Sequence, residues 1–516
     1  MTTRPLASLM VVLLALIVAS GAAFRLAEYT GDRSLWLDEA MLYRNVHTQS
    51  LGELAAGRLV GDQCAPAVFL LATRAVMAVA GDSEFSLRFL PQLSAWAMLI
   101  ALAVLAKRRI GGVGMVTVVA LAAWSWPLVY YSNEFKQYSS DALIAVLLFA
   151  LALKVLGRPF CRCRAIKVGL AGLVALVFSQ PALFLLAALG TAGWIDSVRR
   201  RQWAEVSRWS VAGLAWLALF AGQMWLGYDS ILGNDALIAY HREVFLWPWT
   251  WDQITGALDQ GLLASWISAT SPEVYWAWAL LVAFGGWAAW RADWREAVFI
   301  GGAVGFTLLA SLLGFYPLAV RLLLFLLPLL FWLAGRALGW LAGLNRGHAA
   351  PIAGIIAALL LFPLLRDALA EARHPIHLEH LRPVLARVAD AARPGDVILV
   401  WGPTGPAFDY YWPRFSHTFV PTHALKLGPD EPVSASAIAA QVAPLVAGRS
   451  RVWLVITHDN LGASRANLTG VVQALQHFYP PPSDLALPGS TAHALLFAQP
   501  EAPTHSPTAI PLGGPG

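Results

Sequence analysis

Charge is what this chain of 516 residues has least of: Asp, Glu, Lys and Arg make up only 13% of it, against about 25% in an ordinary soluble domain. That scarcity excludes a soluble globular protein of this length. With 58% hydrophobic residues and 23 Trp, the chain is expected to be a polytopic membrane protein carrying one or more soluble parts. Cysteine is scarce too. Cys64, Cys161 and Cys163 are the whole complement, which excludes a disulfide framework, and Cys161-Arg162-Cys163 is too closely spaced for a routine bridge. A lone Cys-x-Cys is a weak metal signal, so unpaired thiols on a reducing side are expected. The net charge of +5 reports the sidedness of loops in a membrane protein and does not point to a nucleic-acid partner.

Long apolar runs supply the architecture, since crossing a bilayer takes about 20 residues. Five clusters of cations punctuate them: Lys107-Arg108-Arg109; Arg158 with Arg162, Arg164 and Lys167; Arg199-Arg200-Arg201 with Arg208; Arg291 with Arg295; and Arg336 with Arg346. By the positive-inside rule all five face the cytoplasm. Residues 1–23 have the layout of a signal peptide, but so many spans follow that an uncleaved first helix is expected. Parity then yields 11 spans, at about 6–24, 88–106, 112–130, 141–157, two within 165–196, 209–227, 273–290, 297–314, 318–335 and 351–369. The pair within 165–196 is divided at Ser179-Gln180-Pro181, because a proline disfavours helix in the residue before it. The run 66–80 is too short to span and is read as a juxtamembrane or re-entrant helix.

On this reading the amino terminus is cytoplasmic and the carboxyl terminus lies outside, with external loops at about 25–87 and 228–272. The second carries Trp247-Pro248-Trp249-Thr250-Trp251, suited to the headgroup region. After residue 370 the composition changes. His380–Ala392 has helical apolar spacing, and Asp396–Trp401, Arg451–Thr457 and Ala492–Ala498 read as strands. The expected fold class is therefore an α-helical polytopic membrane domain over 1–370, with a small extracytoplasmic α/β domain at 371–499. A Pro/Gly/Thr-rich tail, 500–516, is expected to be disordered.

Three segments of this plan carry ionisable residues on the expected outer side. Asp38 and Glu39 sit side by side within Ser34–Tyr43; a carboxylate pair near lipid costs free energy, so it is rarely kept without a use. Glu134, Lys136, Tyr138 and Asp141 lie in the polar stretch Tyr131–Asp141, and Arg321 stands at the outer mouth of the span 318–335. A transporter more often holds its ionisable residues near the bilayer midplane. Acids at helix ends, next to water, suit an enzyme that takes one substrate from the membrane. Each residue also has a plainer reading. Lys136 snorkels at the interface, Arg88 pairs with Glu84 one turn away, and Glu134 caps the next helix with Asp141. Tyr43, Tyr131 and Tyr138 pack at the interface, and Asp235 and His241 belong to a solvated loop.

Five motifs, in order, resemble the GT-C superfamily of membrane glycosyltransferases. They are Leu35-Trp36-Leu37-Asp38-Glu39-Ala40, Gln63–Phe69, Gly81–Pro91, Tyr130–Asp141 and Tyr316–Arg321. The resemblance covers about residues 5–370 and is to the bacterial branch related to protein O-mannosyltransferases, the lipid A aminoarabinose transferase and rhizobial galacturonosyl transferases. It implies a polyprenyl-phosphate sugar donor, a hydroxyl acceptor on lipid, glycan or protein, and inverting transfer on the outer face of a bacterial inner membrane. The first-loop carboxylate is implied as general base, which singles out Asp38, with Glu39 orienting the acceptor or holding the loop. A positioned Asp can take the acceptor proton, and a single displacement inverts the anomeric centre. The lipid phosphate gains charge as it leaves, so fixed cations should stabilise it: Arg321 first, then Lys136 and Arg88. Gln63, Glu134, Tyr138 and Asp141 complete the candidates, as substrate-binding residues.

The chain departs from these relatives at one place. They carry Lys-Pro-Pro where this chain reads Cys64-Ala65-Pro66, so Lys136 or Arg321 must supply the missing cation. The first loop has no Asp-x-Asp, and neither a metal nor another cofactor is indicated. The competing reading is a glycolipid or polysaccharide transporter without transfer chemistry.

Overall fold

The computed structural model describes residues 3–227, 233–344, 347–375, 377, 379–415, 420–425, 432–458, 462–487 and 490–500. The expected tail lies, from residue 501, outside the described residues. The chain divides into two compact units. One comprises Met1–Asp32 and Met41–Ile376; the other comprises Arg33–Ala40 and His377–Gly516. Composition groups Arg33–Ala40 with the apolar helices around it, whereas its packing assigns it to the carboxyl-terminal unit. The helix Leu37–Thr48 starts in that short segment and continues into the first unit.

The first unit is helical, and a helix occupies each of the expected span positions: Thr3–Thr30, Glu84–Arg109, Gly112–Trp124, Tyr138–Val155, Arg162–Phe178, Ala182–Arg199, Trp203–Leu226, Tyr275–Ala292, Trp294–Leu312, Leu327–Ala342 and Ala349–Arg373. Among the described residues 8 helices are long and apolar enough to cross a membrane, or 9 if one bent pair counts as a single span. Arg162–Phe178 is short at 17 residues, and Tyr275–Ala292 is rich in Trp, a residue of interfaces more than of bilayer cores. The helix Ala67–Ala80 has 14 residues, too few to span.

The span expected at 112–130 is bent by 59° between Gly112–Trp124 and Trp126–Asn133. Pro127 has no N–H to offer the carbonyl four residues back, that of Ala123. Arg25 answers the break. Its guanidinium donates to the carbonyls of Ala122 at 2.8 Å and Ala123 at 3.1 Å, and to Gly21 at 2.9 Å. In an apolar medium no water is at hand to do this, so a fully buried arginine serves as a helix cap. Close helix packing elsewhere depends on small residues. A Cβ on Gly114 or Gly335 would collide with the other's backbone, so only glycine lets Gly112–Trp124 and Leu327–Ala342 meet there. Several of the basic clusters are tied to acids: Arg295 and Arg200 both bind Asp196, Arg200 binds Glu205, and Arg336 binds Glu296.

The second unit is α/β. Its sheet runs β2-β1-β3-β5-β4, with β1 Val397–Val400, β2 Thr422–Ala424, β3 Arg451–Ile456, β4 Ser483–Asp484 and β5 His493–Ala498. β1 is parallel to both β2 and β3, while β5 is antiparallel to β3 and β4. The strands β1 and β3 are continuous apolar runs, as expected where both faces of a parallel sheet are covered. Their core packs with residues of Ala435–Val446 and Gly462–Gln476 through Val442, Val446, Val471 and Leu475. The segment expected as a helix at His380–Ala392 is one, at Leu381–Ala391.

Candidate functional site

Asp38 and Glu39 open the helix Leu37–Thr48, and their environments differ. Glu39 is fully buried, and its carboxylate accepts the Trp36 N–H at 3.4 Å. That is the half of a capping box in which the third helical residue reaches back to the residue before the helix. Asp38 remains half-buried in the first turn, where the positive end of the helix dipole favours a carboxylate. Glu39 thus serves the helix start, and Asp38 is the acid that keeps access to solvent.

The backbone leading into that helix is held by side chains of its own unit. The Leu35 N–H donates to the Tyr411 hydroxyl at 2.7 Å, and the Leu37 N–H donates to Glu379 Oε2 at 3.2 Å. The Ser34 hydroxyl lies 3.0 Å from His380 Nδ1 and accepts the Arg382 N–H at 3.0 Å. Glu379 Oε1 in turn lies 2.7 Å from His458 Nδ1.

In the membrane unit, the stretch expected on the outer side with its acids next to water is packed inside: Ser132 to Ser139 are buried throughout. Its burial is offset where its polar groups find partners. The Ser132 hydroxyl donates to the Val129 carbonyl at 2.6 Å, Asn133 Nδ2 to the Glu28 carbonyl at 2.6 Å, and the Ser139 hydroxyl to the Tyr131 carbonyl at 3.0 Å. Glu134 and Asp141 are buried as well, so these acids do not stand next to water as their place at helix ends suggested.

Lys136 is only 5% exposed. Its ammonium donates to Gln63 Oε1 at 2.5 Å, and the neighbouring Gln137 Nε2 donates to the Cys64 carbonyl at 3.3 Å. A cation therefore stands at the Gln63-Cys64 segment, brought there from 73 positions along the chain. Cys64 Sγ also meets the Gln180 amide, at 3.1–3.2 Å. Burial pushes the Cys64 thiol up; the Gln180 hydrogen bond and then the Lys136 charge work against it, and Asp141 adds to it. Tyr316 is pushed well above the usual phenol range by burial, then by Asp141 and Cys64, so it stays protonated and donates to the Leu322 carbonyl at 2.8 Å. Gln63, Cys64, Lys136, Gln137, Asp141, Gln180 and Tyr316 thus form one polar cluster, with Gln63, Lys136, Gln137 and Asp141 buried and Cys64, Gln180 and Tyr316 half-buried. Within it the Asp141 carboxylate faces the buried Ser179 hydroxyl, and Gln137 Oε1 is buried with no hydrogen-bond partner among the described residues. Buried polar atoms of that kind mark places where water or a ligand completes the bonding.

The other candidates fall elsewhere. Arg88 is buried, with the buried Glu84 one turn before it on the same helix. Arg321 is half-buried at the start of Val320–Leu326, its guanidinium 5.8 Å from the Tyr240 ring centre. Tyr138 belongs to the apolar core, 5.6 Å from Tyr131 ring to ring. Asp235 is exposed, as expected of a loop residue, but His241 is buried. Among the described residues no group of three or more His, Cys, Asp or Glu could hold a metal ion.

Sequence reasoning missed Ser179 and Gln180, which it took only as a helix break. The signal was present, because a break within a membrane-length run needs a polar lining for its freed backbone. It missed Glu379, His380, Tyr411 and His458 altogether, and their spacing offers nothing to find them by.

No protein-family model matches the sequence, and no curated protein resembles it closely in sequence. Solved structures do match. ArnT from Cupriavidus metallidurans in the apo state superposes with a TM-score of 0.53 at 13% identity, covering 95% of this chain and 98% of that one. The same protein bound to undecaprenyl phosphate gives 0.51 at 12%, with the same coverage of 95% and 98%. The oligosaccharyltransferase AglB from Archaeoglobus fulgidus, in complex with an inhibitory peptide and a dolichol-phosphate, gives 0.52 at 11%, covering 96% and 75%. Identities this low speak to fold alone, and the conclusion they support is that this chain shares the fold of ArnT and AglB over almost its whole length.

Proposed function

We propose that the protein is an inverting glycosyltransferase that moves a sugar from a polyprenyl phosphate to a hydroxyl acceptor on the extracytoplasmic face of a bacterial inner membrane. The observation that carries this reading is the end-to-end fold likeness to ArnT, a protein whose structure is also known with undecaprenyl phosphate bound. The acceptor oxygen attacks the anomeric carbon as Asp38 takes its proton. The bond from that carbon to the phosphate oxygen breaks, and polyprenyl phosphate leaves with the electron pair. Lys136 stabilises the departing phosphate, with Arg321 as a second cation and Arg88 in a supporting electrostatic role. Gln137 Oε1, which has no hydrogen-bond partner among the described residues, and the Asp141 carboxylate receive sugar hydroxyls. Gln63 holds Lys136 in place, and Glu134 sets the buried turn from which Lys136 projects, through the 2.7 Å bond between the Lys136 N–H and its carbonyl. A lipid monophosphate needs no divalent ion when Lys and Arg supply the counter-charge. The outward orientation rests on the distribution of Arg and Lys along the chain.

The test is transfer in proteoliposomes from a purified polyprenyl-phosphate sugar to extracted envelope lipid or glycan. Asp38→Asn should abolish product while the protein still inserts. Retained activity removes Asp38 as the base. Movement of the sugar lipid across the bilayer with no new glycosidic bond would instead establish the transporter reading.

A further inference from the structure

In α/β folds with parallel strands, ligands bind in the crevice beyond the carboxyl ends of the strands, where neighbouring strands send their connections in opposite directions. In the second unit that place lies between β1 and β3, since the chain leaves β1 toward β2 on one side and leaves β3 toward β4 and β5 on the other. The residues just past these two strands are joined: the Thr457 N–H donates to the Thr404 hydroxyl at 2.8 Å. The next residue, His458, has a positive φ of 57°, a left-handed conformation uncommon outside glycine that histidine adopts more readily than most residues. From this conformation its ring meets Glu379 Oε1 at 2.7 Å, and the other oxygen of Glu379 accepts the Leu37 N–H. At the same end of the sheet the Ser490 hydroxyl accepts the His380 N–H at 3.0 Å, just ahead of the start of β5, which pairs His493 with Ile456.

We infer that the carboxyl-terminal unit uses its ligand crevice to grip its own chain, and that Glu379 and Tyr411 are positioning residues for Asp38. The inference rests on Asp38 being the general base. Three of the four backbone N–H groups just before Asp38 are anchored to this unit: Ser34 to His380, Leu35 to Tyr411 and Leu37 to Glu379. The first turn of the helix is thereby fixed in rotation, and with it the direction of the Asp38 carboxylate. A base displaced by about 1 Å can lose about a hundredfold in rate, so such a tether acts on turnover more than on substrate binding. The sheet domain is then part of the catalytic apparatus without touching substrate.

The experiment compares kcat and donor KM for the full-length protein and three variants in the proteoliposome transfer assay. Glu379→Ala should lower kcat by about 10- to 100-fold with donor KM almost unchanged. Glu379→Gln keeps an oxygen for the Leu37 N–H and should recover most of the loss. Tyr411→Phe keeps the packed ring, removes only the oxygen that accepts the Leu35 N–H, and should lower kcat several-fold even if Glu379→Ala does not fold. Wild-type kcat in Tyr411→Phe together with Glu379→Ala overturns the inference, as does a Gln variant no better than Ala with KM rising in step. Asp38→Asn run alongside separates the two claims. If it is active, the base assignment fails; if it is inactive while the Glu379 and Tyr411 variants match wild type, only the positioning role fails.

Discussion

Replacing Lys136 with Met tests the site most directly. The side chain is 5% exposed, so its charge is held in a medium that screens it poorly. Its ammonium lies 2.5 Å from Gln63 Oε1, and its field reaches Cys64 strongly enough to oppose the rise of that thiol. Two effects of the substitution run on different scales. If Lys136 meets the phosphate as its charge develops, losing it should cost about 2.7–4 kcal/mol of barrier, or roughly 10²–10³ in kcat, as removal of one preorganised donor does. In the folded state the change leaves Gln63 Oε1 short of a donor, about 1–3 kcal/mol, but it also relieves the desolvation of a buried ammonium. Stability should therefore move much less than activity. Lys136→Arg keeps the charge and should recover part of the rate, since its planar fork replaces a point charge. The assay is single-turnover transfer with saturating donor, alongside thermal unfolding in detergent. A kcat within about threefold of wild type for a folded Lys136→Met protein, under 1 kcal/mol of barrier, would refute the reasoning.

Arg25→Met should destabilise the membrane unit by about 2–6 kcal/mol, because the carbonyls of Ala122 and Ala123 lose their donor at about 1–3 kcal/mol each; an unchanged unfolding midpoint in detergent would mean that another group caps the bend. Cys161 and Cys163 are exposed, whereas burial raises the Cys64 thiol above its ordinary value. The reactive thiolate of Cys64 is thus scarce at neutral pH and grows only as pH climbs past that raised value. Mass spectrometry after maleimide at pH 7 should find Cys161 and Cys163 modified well before Cys64, and equal labelling of all three would contradict the burial. Transfer should persist in excess EDTA, since lysine and arginine supply the counter-charge; loss of product that Mg²⁺ or Mn²⁺ restores would assign that work to a metal.

Much of the helical plan could be read in advance because hydropathy is a local sum. A run such as 88–106 announces a helix whatever surrounds it, and Glu84–Arg109 is that helix with one more turn at its start. The strands Val397–Val400 and Arg451–Ile456 were equally plain, as short apolar runs between turn residues. The environment of the candidate residues was not. Ser132 to Ser139 looks like a polar outer segment by composition, yet it is buried, and its partners come from far along the chain: Lys136 bonds Gln63 across 73 positions, and Asn133 reaches Glu28 across 105. Nothing local distinguishes a polar side chain that will find such a partner from one that will face water.

What the sequence determined by itself was the class of the molecule: too little charge for a soluble protein, apolar runs of bilayer length, and a short α/β region after them. It also marked Asp38 and Glu39 as worth attention. Only the tertiary structure decided that Glu39 closes the helix start while Asp38 stays accessible, that the Lys136 ammonium meets Gln63 beside Cys64, and that Ser34 is held by His380, 346 positions away. The physical reason is the same in each case. Burying apolar surface depends on a residue's own nature, whereas satisfying a buried hydrogen-bonding group depends on which partner the fold delivers to it.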